Sequence, residues 1–368
     1  MTTKRISLIS SRLKVGPMKR LYKYYTPQSI NLAGGVPMDS TFPLKKIELE
    51  LTTLNSLNSS TIELKQGHNL SLNYLRGDGI PHLRDWIKNH VNKIHHPKDN
   101  NFNTCMTIGS TDALSKSLLL LSGDTVLFDE YAYGTAVSTC RSYGRNSVGV
   151  KMDNYGMIPE DLRNQTILAR EKGFDPDTVY LVPTSQNPTG VSMSQSRKEE
   201  IYQVCQELDL IILEDDAYYY LYHGDQPISQ NNSFDSLTMP GIHHLPKSFL
   251  SMDVDSRVIR MDSLSKFICP GMRLGWVSGP SQFIDKYMLL QEITSQFPSG
   301  LSQSVFNAIV TNWGDDVLHS HVQQIQLHYL QQRNFMCSAL NSALTPLNSL
   351  ITSTNSTTPL FSYSIPDG

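Results

Sequence analysis

Short apolar and β-branched runs alternate with longer helical patterns along this chain, and this alternation constrains its fold more than any other feature. The runs predict buried strands at residues 125–128, 178–182, 210–213, 258–261 and 274–278. Strands that alternate with helices are typical of α/β proteins with a largely parallel sheet. We therefore predict an α/β fold in which helices flank a mostly parallel central sheet.

Polar clusters directly follow four of the predicted strands, at residues 129–133, 183–190, 214–218 and 262–266. Ligands of open α/β sheets bind beyond the carboxyl ends of the strands. The four clusters should therefore face one crevice, which predicts a ligand site at this edge of the sheet.

Size and charge narrow the kind of partner. A chain of 368 residues, 39% of them hydrophobic, can bury a large core, and we expect one large domain with a smaller one. The net charge of −3 argues against nucleic acid or an anionic membrane and favours a small-molecule partner. The chain has no stretch of about 18 apolar residues, so we expect neither a membrane span nor secretion.

Cysteine and histidine usage bears on compartment and metal binding. The five cysteines form no Cys-x-x-Cys pair, which disfavours a disulfide framework and a zinc ribbon and favours a reducing, cytoplasmic location. Mitochondrial import is the less favoured alternative, indicated by basic residues with no acidic residue before Asp39. The histidine pairs at 95–96 and 243–244 belong to no ligand set, so we expect no metal.

Two segments suit an anion or a turn. Residues 108–114 pass from an apolar end through Gly109, Ser110 and Thr111 into a helical pattern, which is typical of a phosphate-binding helix N-terminus but also of an ordinary N-cap. Residues 183–190 contain Asn187-Pro188 and Thr189-Gly190, which equally favour a plain turn. Ser- and Asn-rich stretches at 54–60, 231–236 and 348–358 predict exposed loops.

Three consecutive acids, Glu214, Asp215 and Asp216, follow a predicted buried strand. Carboxylates are rarely buried without partners, so at least one of them needs a cation. A protonated pyridine nitrogen would serve, because an opposite charge within hydrogen-bonding reach favours the ionised carboxylate.

Lys266 lies between hydroxyl residues and is followed seven positions later by Arg273. A single lysine in a loop is usually only solvated. Here the pair offers an amine nucleophile for a carbonyl cofactor and a guanidinium for the phosphate of that cofactor.

Five short motifs then occur in a recognisable order over essentially the whole chain. They are Asn31-Leu32-Ala33-Gly34-Gly35-Val36-Pro37, Tyr74 with Gly79-Ile80-Pro81, Asn187-Pro188-Thr189-Gly190, Glu214-Asp215-Asp216-Ala217-Tyr218 and Ser263-Leu264-Ser265-Lys266. In these motifs the sequence resembles the class-I aminotransferases of fold type I, which depend on pyridoxal 5′-phosphate (PLP). The resemblance is greatest to the branch with aromatic, kynurenine and 2-aminoadipate aminotransferases.

The resemblance implies roles for the residues around the PLP ring. Lys266 would bind PLP covalently and then move the substrate proton, while Asp215 would hold the N–H of the ring. Asn187 and Tyr218 would hydrogen-bond the phenolic oxygen, and Tyr133 would stack on the ring. Asn187 would also contact substrate.

The resemblance also implies a phosphate site, a dimer and a substrate contact. The phosphate would be bound by Arg273, Ser263, Ser265, Ser110 and Thr111. Tyr74 would reach the cofactor phosphate of a second subunit, so a homodimer is expected. Gly34 and Gly35 would lie near the substrate.

The implied reaction transfers an amino group between an aromatic or long-chain α-amino acid, such as 2-aminoadipate, and a 2-oxo acid, such as 2-oxoglutarate. A C–S lyase or a cyclopropane-forming synthase on the same scaffold is an alternative, because both would share the cofactor-holding residues. A product assay with and without a 2-oxo acid separates them.

Domain boundaries follow from the same resemblance. Residues 1–45 would form an N-terminal arm with part of the substrate site, 46–290 the large PLP-binding domain, and 291–368 a linking helix with part of the small domain. The printed chain ends at Gly368, before the arginine that binds the substrate carboxylate in this family. From this we expect an incomplete small domain, and a dimerising or regulatory PLP-binding protein with weak or no turnover is an alternative to the active aminotransferase.

Overall fold

A computed structural model describes residues 5–17, 19–24, 35, 37–44, 47–53, 56–63, 72–224, 239–352 and 365. In chain order its strands are β1 (Glu48–Thr53), β2 (Ser56–Glu63), β3 (Phe102–Thr107), β4 (Thr125–Asp129), β5 (Asn146–Val150), β6 (Met152–Asp153), β7 (Gly156–Met157), β8 (Pro176–Leu181), β9 (Ile211–Asp215), β10 (Val258–Ser263) and β11 (Gly275–Pro280). The predicted strands at 125–128, 178–182, 210–213, 258–261 and 274–278 correspond to β4, β8, β9, β10 and β11, so these predictions are confirmed.

The helices are α1 (Leu8–Arg12), α2 (Pro81–His95), α3 (Ser110–Leu120), α4 (Gly134–Ser142), α5 (Pro159–Glu171), α6 (Gln195–Glu207), α7 (Ser281–Thr294) and α8 (Gly300–Thr352). Gly314, with a φ of +60°, interrupts the helical geometry of α8. Short 3₁₀ turns lie at Lys19–Tyr24, Asp39–Thr41, Tyr219–Leu221, Leu250–Met252 and Pro270–Met272. Within the described ranges, no helix is both long and apolar enough to cross a membrane.

The central sheet joins seven of the described strands in the order β3-β11-β10-β9-β8-β4-β5. Neighbouring strands from β10 to β5 are parallel, and β11 is antiparallel to both β10 and β3. The predicted α/β class with a mostly parallel sheet is confirmed. The antiparallel direction of β11 was not foreseen, because a buried apolar run has the same pattern in either direction.

Helices cover both faces of this sheet, since successive strand side chains point to opposite faces. Along β9, Ile211 and Leu213 join one hydrophobic layer with α3 and α7, while Ile212 joins a second layer that includes residues of α2, α5 and α6. This double covering explains why the strands are apolar runs rather than alternating patterns.

Two of the predicted loops were wrong where the structure describes them. Residues 56–60 belong to β2, which pairs with β1 as an antiparallel hairpin whose backbone hydrogen bonds outweigh the weak strand preference of Ser and Asn. Residues 348–352 belong to the end of α8, and 231–236 lie outside the described residues. The expected domain boundaries stay a prediction, and the expectation about the chain's end concerns residues beyond the described part.

Candidate active site

A cavity of about 340 Å³ opens beyond the carboxyl ends of β8, β9 and β10. Its lining is formed by Ser110, Thr111, Tyr133, Tyr180, Val182, Asn187, Asp215, Ala217, Tyr218, Ser263, Ser265, Lys266, Pro270 and Arg273. Each of the four polar clusters that follow predicted strands contributes at least one residue to this lining. The predicted convergence of the clusters on one crevice is therefore observed.

Asp215 ends β9 with its side chain at the buried wall of the cavity. Its Oδ2 accepts a hydrogen bond of 2.7 Å from the hydroxyl of Tyr180. Among the described residues, Oδ1 has no hydrogen-bond partner. Burial raises the pKa of Asp215 to about 6, against the opposing effect of the Tyr180 hydrogen bond and of the nearby Ser110 hydroxyl, which lines the same cavity without a hydrogen bond to Oδ1. The site therefore contains a buried carboxylate oxygen that needs a donor.

Glu214 and Asp216 face a different environment, around the fully buried guanidinium of Arg260. Arg260 Nη1 lies 3.0 Å from Glu214 Oε1 and 3.0 Å from Asp216 Oδ2, and Nη2 lies 2.8 Å from Asp262 Oδ1. Of the three consecutive acids, two are thus paired with this cation. Only Asp215 is directed to the cavity.

One end of the cavity lies at the N-terminus of α3. Gly109 precedes the helix with a φ of +99°, and a Cβ at this position would lie 2.8 Å from Arg273 Nη2. The first hydrogen bond of the helix runs from Ala113 N–H to Gly109 C=O. The N–H groups before Ala113 therefore have no acceptor within the helix. The positive φ thus requires glycine, and any side chain here would also displace the Arg273 guanidinium.

Hydroxyls and a guanidinium face that helix end. The Ser263 hydroxyl donates to Ser265 Oγ at 2.9 Å, and Arg273 Nη1 donates to Ser265 Oγ at 3.3 Å. Arg273 Nη2 donates to the Ile108 carbonyl at 3.0 Å, which fixes the guanidinium beside α3. A helix N-terminus, serine hydroxyls and an arginine together suit a phosphate group.

Lys266 lies in the loop after β10, in the lining of the cavity. Its Nζ lies 5.5 Å from the centre of the Tyr218 ring. Asn187 Nδ2 donates to the Tyr218 hydroxyl at 3.4 Å, while burial raises the pKa of Tyr218. The amine, the amide and the phenol therefore come from three separate predicted clusters and meet in one cavity.

Three of the expected site residues lie elsewhere or outside the described part. Tyr74 is 58% exposed and contacts Phe297 edge to face, with ring centres 6.4 Å apart, and it does not line the cavity. Gly35 is exposed and has no atom within 4 Å of its ideal Cβ position. Gly34 lies outside the described residues.

Three lining residues were not foreseen from the sequence: Tyr180, Val182 and Pro270. One signal could have indicated Tyr180, because its hydroxyl interrupts the apolar run 178–182 and a buried hydroxyl needs a partner. Across the described ranges, no group of three or more His, Cys, Asp or Glu side chains could hold a metal ion.

The residues in the cavity fit PLP. The unpartnered Asp215 Oδ1 suits a protonated ring nitrogen, and the Gly109 to Thr111 segment with Arg273 suits the phosphate. Lys266 supplies an amine for the aldehyde. These observations come from the protein alone.

Comparison with known proteins gives the same answer. The family model for aminotransferase class I and II matches residues 37–368. An aromatic amino acid aminotransferase from Schizosaccharomyces pombe is 32% identical over 367 residues, covering 92% of this chain and 77% of the relative. The mitochondrial kynurenine/alpha-aminoadipate aminotransferase of Rattus norvegicus is 34% identical over 333 residues, covering 86% of this chain and 72% of the relative.

A solved structure extends the match to three dimensions. Aminotransferase Aro8 from Candida albicans superposes with a TM-score of 0.84 at 30% identity, covering 92% of this chain and 75% of that chain. The predicted resemblance to the aromatic and aminoadipate branch is confirmed, and these comparisons give no support to a C–S lyase. The chain belongs to the class I and II aminotransferases and is a PLP-dependent transaminase of fold type I.

Proposed function

We propose that this aminotransferase transfers the amino group of an aromatic or long-chain α-amino acid, such as 2-aminoadipate, to a 2-oxo acid such as 2-oxoglutarate. The names of the yeast and rat relatives support this substrate class. The observation that carries the chemistry is the cavity in which Lys266 and the unpartnered Oδ1 of Asp215 occur together with an anion-binding helix end.

When bound, PLP supplies an aldehyde that accepts the amino group and a ring that draws electrons from the substrate Cα. Asp215 would hold the ring N–H through Oδ1, because its Oδ2 is already bound to Tyr180. The Lys266 amine would attach the cofactor and then move a proton to and from the substrate Cα. Asn187 and Tyr218 would donate to the phenolic oxygen, and Tyr133 would cover the ring.

The remaining residues would bind the phosphate and the substrate. The phosphate would be held by Arg273, Ser263, Ser265, Ser110 and Thr111. Gly34, Gly35 and Asn187 would lie beside the substrate. With no side chain, the two glycines would leave room for a bulky amino acid.

A homodimer is the expected active unit. Tyr74 is exposed on one chain, which suits a side chain that reaches the cofactor phosphate of a second chain. Residues 1–45 and 291–368 would flank the large domain in each subunit. The five free cysteines suit a reducing, cytoplasmic compartment, with mitochondria the alternative.

Cofactor attachment is tested by borohydride reduction followed by peptide mapping. We expect PLP to be fixed to the peptide that contains Lys266, and Lys266→Ala to abolish the fixation. Lys172→Ala, a matched change at an exposed lysine away from the cavity, should leave it intact. Labelling of another lysine would contradict the assignment.

Substrate class is tested with a panel of amino donors, with and without 2-oxoglutarate. We expect phenylalanine, tyrosine or 2-aminoadipate to give higher kcat/KM than aspartate or alanine, and turnover to stop without a 2-oxo acid. Release of ammonia or a thiol in the absence of a 2-oxo acid would indicate lyase chemistry instead.

A further inference from the structure

Tyr180 is a buried polar residue in the middle of the central sheet. It lies on β8 with 2% of its surface exposed. In the parallel pairing of β8 with β9, Tyr180 is opposite Leu213. Since side chains two positions apart on a strand share a face, Tyr180 and Asp215 lie on the same face of the sheet. Its hydroxyl donates to Asp215 Oδ2 at 2.7 Å.

The hydroxyl has no role in packing that a phenylalanine could not fill. Tyr180 lies in the hydrophobic layer with Phe128, whose ring centre is 5.4 Å away and which serves that layer without a hydroxyl. A buried hydroxyl without a partner would be costly, so its presence here is explained by the carboxylate it contacts.

The hydrogen bond makes the two oxygens of Asp215 unequal. Oδ2 is bound to Tyr180, whereas Oδ1, among the described residues, has no partner. Burial raises the pKa of Asp215 to about 6, and the Tyr180 hydroxyl opposes this effect because it donates to the charged form. Burial also raises the pKa of Tyr180 well above its usual value, so the phenol remains a donor.

We propose that Tyr180 is a positioning residue of the transamination reaction, whose hydroxyl fixes the Asp215 carboxylate so that Oδ1, in its ionised form, is presented to the ring nitrogen of PLP. The inference rests on the proposed function. Tyr180 acts only through Asp215: it holds the acceptor in place and keeps the proton on the ring nitrogen rather than on the carboxylate.

A double-mutant cycle tests this dependence. Tyr180→Phe in the wild-type background should weaken PLP binding about tenfold, the effect of a change of about one pKa unit in the balance between the carboxylate and the ring nitrogen. In an Asp215→Asn background, the same change should alter the PLP dissociation constant less than about twofold, because the carboxylate it serves is absent. Equal losses in the two backgrounds would overturn the proposal.

The protonation of the ring gives a readout that a packing role would not move. With ¹⁵N-labelled PLP bound, the nitrogen resonance of the wild-type protein should lie in the pyridinium range. In Tyr180→Phe it should shift toward the neutral-pyridine range at the same pH. An unchanged resonance in the folded variant would refute the role.

Tyr202→Phe is the matched control. The Tyr202 hydroxyl also lies within hydrogen-bonding distance of carboxylates, 3.0 Å from Asp253 Oδ1 and 2.6 Å from Asp255 Oδ1, and Tyr202 does not line the cavity. It should lose stability without a change in PLP binding or nitrogen resonance. A Tyr202→Phe protein that matched Tyr180→Phe in both readouts would show a general effect of buried tyrosines and overturn the proposal.

Two further arms separate the possible failures. If Tyr180→Phe does not fold, 3-fluorotyrosine at position 180 keeps the ring and strengthens the donor, and PLP binding should then tighten rather than weaken; no tightening refutes the inference. If borohydride fixes no PLP to Lys266 in the wild-type protein, the proposed function fails together with the inference. If it does, and the cycle is additive, only the inference fails.

Discussion

The two faces of the sheet at the carboxyl end of β9 treat neighbouring acids in opposite ways. On one face, Glu214 accepts the backbone N–H groups of Phe249 and Leu250 and pairs with Arg260. On the other face, Asp215 has the Tyr180 hydroxyl on Oδ2 and, among the described residues, no partner on Oδ1. Strand alternation alone separates the two side chains. A buried acid whose oxygens all have partners stabilises the fold, whereas one with an unpaired oxygen can bind a ligand.

The paired face, which we call the Arg260 cluster (Arg260, Glu214, Asp216 and Asp262), is an ion network with no exposed guanidinium surface. Arg260 also lies 4.4 Å from the centre of the Tyr219 ring. Burial raises the pKa of Glu214 and of Asp262, and the positive charge of Arg260 opposes this effect in both; buried Lys198 also opposes it at Glu214. On the cavity face the cations are Lys266 and Arg273, which line the open cavity instead of being enclosed among acids.

Removing that cation is the change with the largest expected effect. Arg260→Met should lower the free energy of unfolding by about 3–5 kcal/mol, because it leaves three buried carboxylates without the cation that pairs with them. Urea denaturation measures the loss. Arg163→Met, which breaks surface pairs with Glu160 and Glu207, should cost less than about 1 kcal/mol. Equal losses of stability in the two variants would contradict the stabilising role of the Arg260 cluster.

The next effect is on turnover. Asp215→Asn should lower the rate of the amino-acid half-reaction by about 10²–10³, because a ring nitrogen without its carboxylate holds its proton less well. Asp216→Asn removes an acid that pairs with Arg260, so it should lower stability while the folded protein retains most of its rate. Single-turnover absorbance measures both rates. Equal or reversed losses would contradict the assignment of Asp215.

Sequence patterns anticipated much of this arrangement, and strand alternation explains what they missed. The apolar runs predicted β4, β8, β9, β10 and β11, and the polar clusters after them predicted the cavity. Which of the three acids faces the cavity could be chosen from the family motif, but the reason lies in sheet register, which pairs Glu214 with Arg260 on the opposite face. Register is a long-range property that no local pattern specifies.

Tyr180 and Arg260 were missed for related reasons. Each lies inside a run that is otherwise apolar. The partners lie at the end of another strand, β9, or directly after it: Asp215 for Tyr180, and Glu214 and Asp216 for Arg260. A polar residue within a buried strand indicates that a partner exists without saying which residue it is. Tyr74 and the Gly34 to Gly35 segment stay predictions, since their roles need a second subunit or a substrate.

The third prediction concerns the pH dependence of the apoprotein. The pKa of Asp215 is raised to about 6 by burial, above the value of about 3.9 in an unfolded chain. The folded state therefore binds more protons than the unfolded state between these values, and the free energy of unfolding should fall by about 2–3 kcal/mol as pH rises from about 4 to above 6. Asp215→Asn should remove the decrease in the free energy of unfolding that Asp215 causes over this pH range.

Asp153 is the control for that titration, because its pKa is shifted in the opposite direction. Arg197 lowers the pKa of Asp153, so the stability that Asp153 contributes is lost only as pH falls below this window. Asp153→Asn should leave the slope between pH 4 and 6 as in the wild type. Urea denaturation across this pH range measures both variants, and a wild-type slope in Asp215→Asn would disprove the assignment.

The smallest expected effect comes from the hydrogen bonds that Thr184 donates to Asp216, beside the ion pair of Asp216 with Arg260. The Thr184 hydroxyl donates to Asp216 Oδ2 at 3.2 Å, and the Thr184 N–H donates to Oδ1 at 3.2 Å. Thr184→Val keeps the N–H bond and the shape but removes the hydroxyl, so it should lower the free energy of unfolding by about 1 kcal/mol. Thr184→Ser keeps the hydroxyl and should recover the hydrogen-bond part of that loss. Because Arg260 still pairs with Asp216, neither change should alter PLP binding; a loss of PLP affinity in Thr184→Val alone would show that the two faces of the sheet are coupled through Asp216 rather than separated by strand alternation.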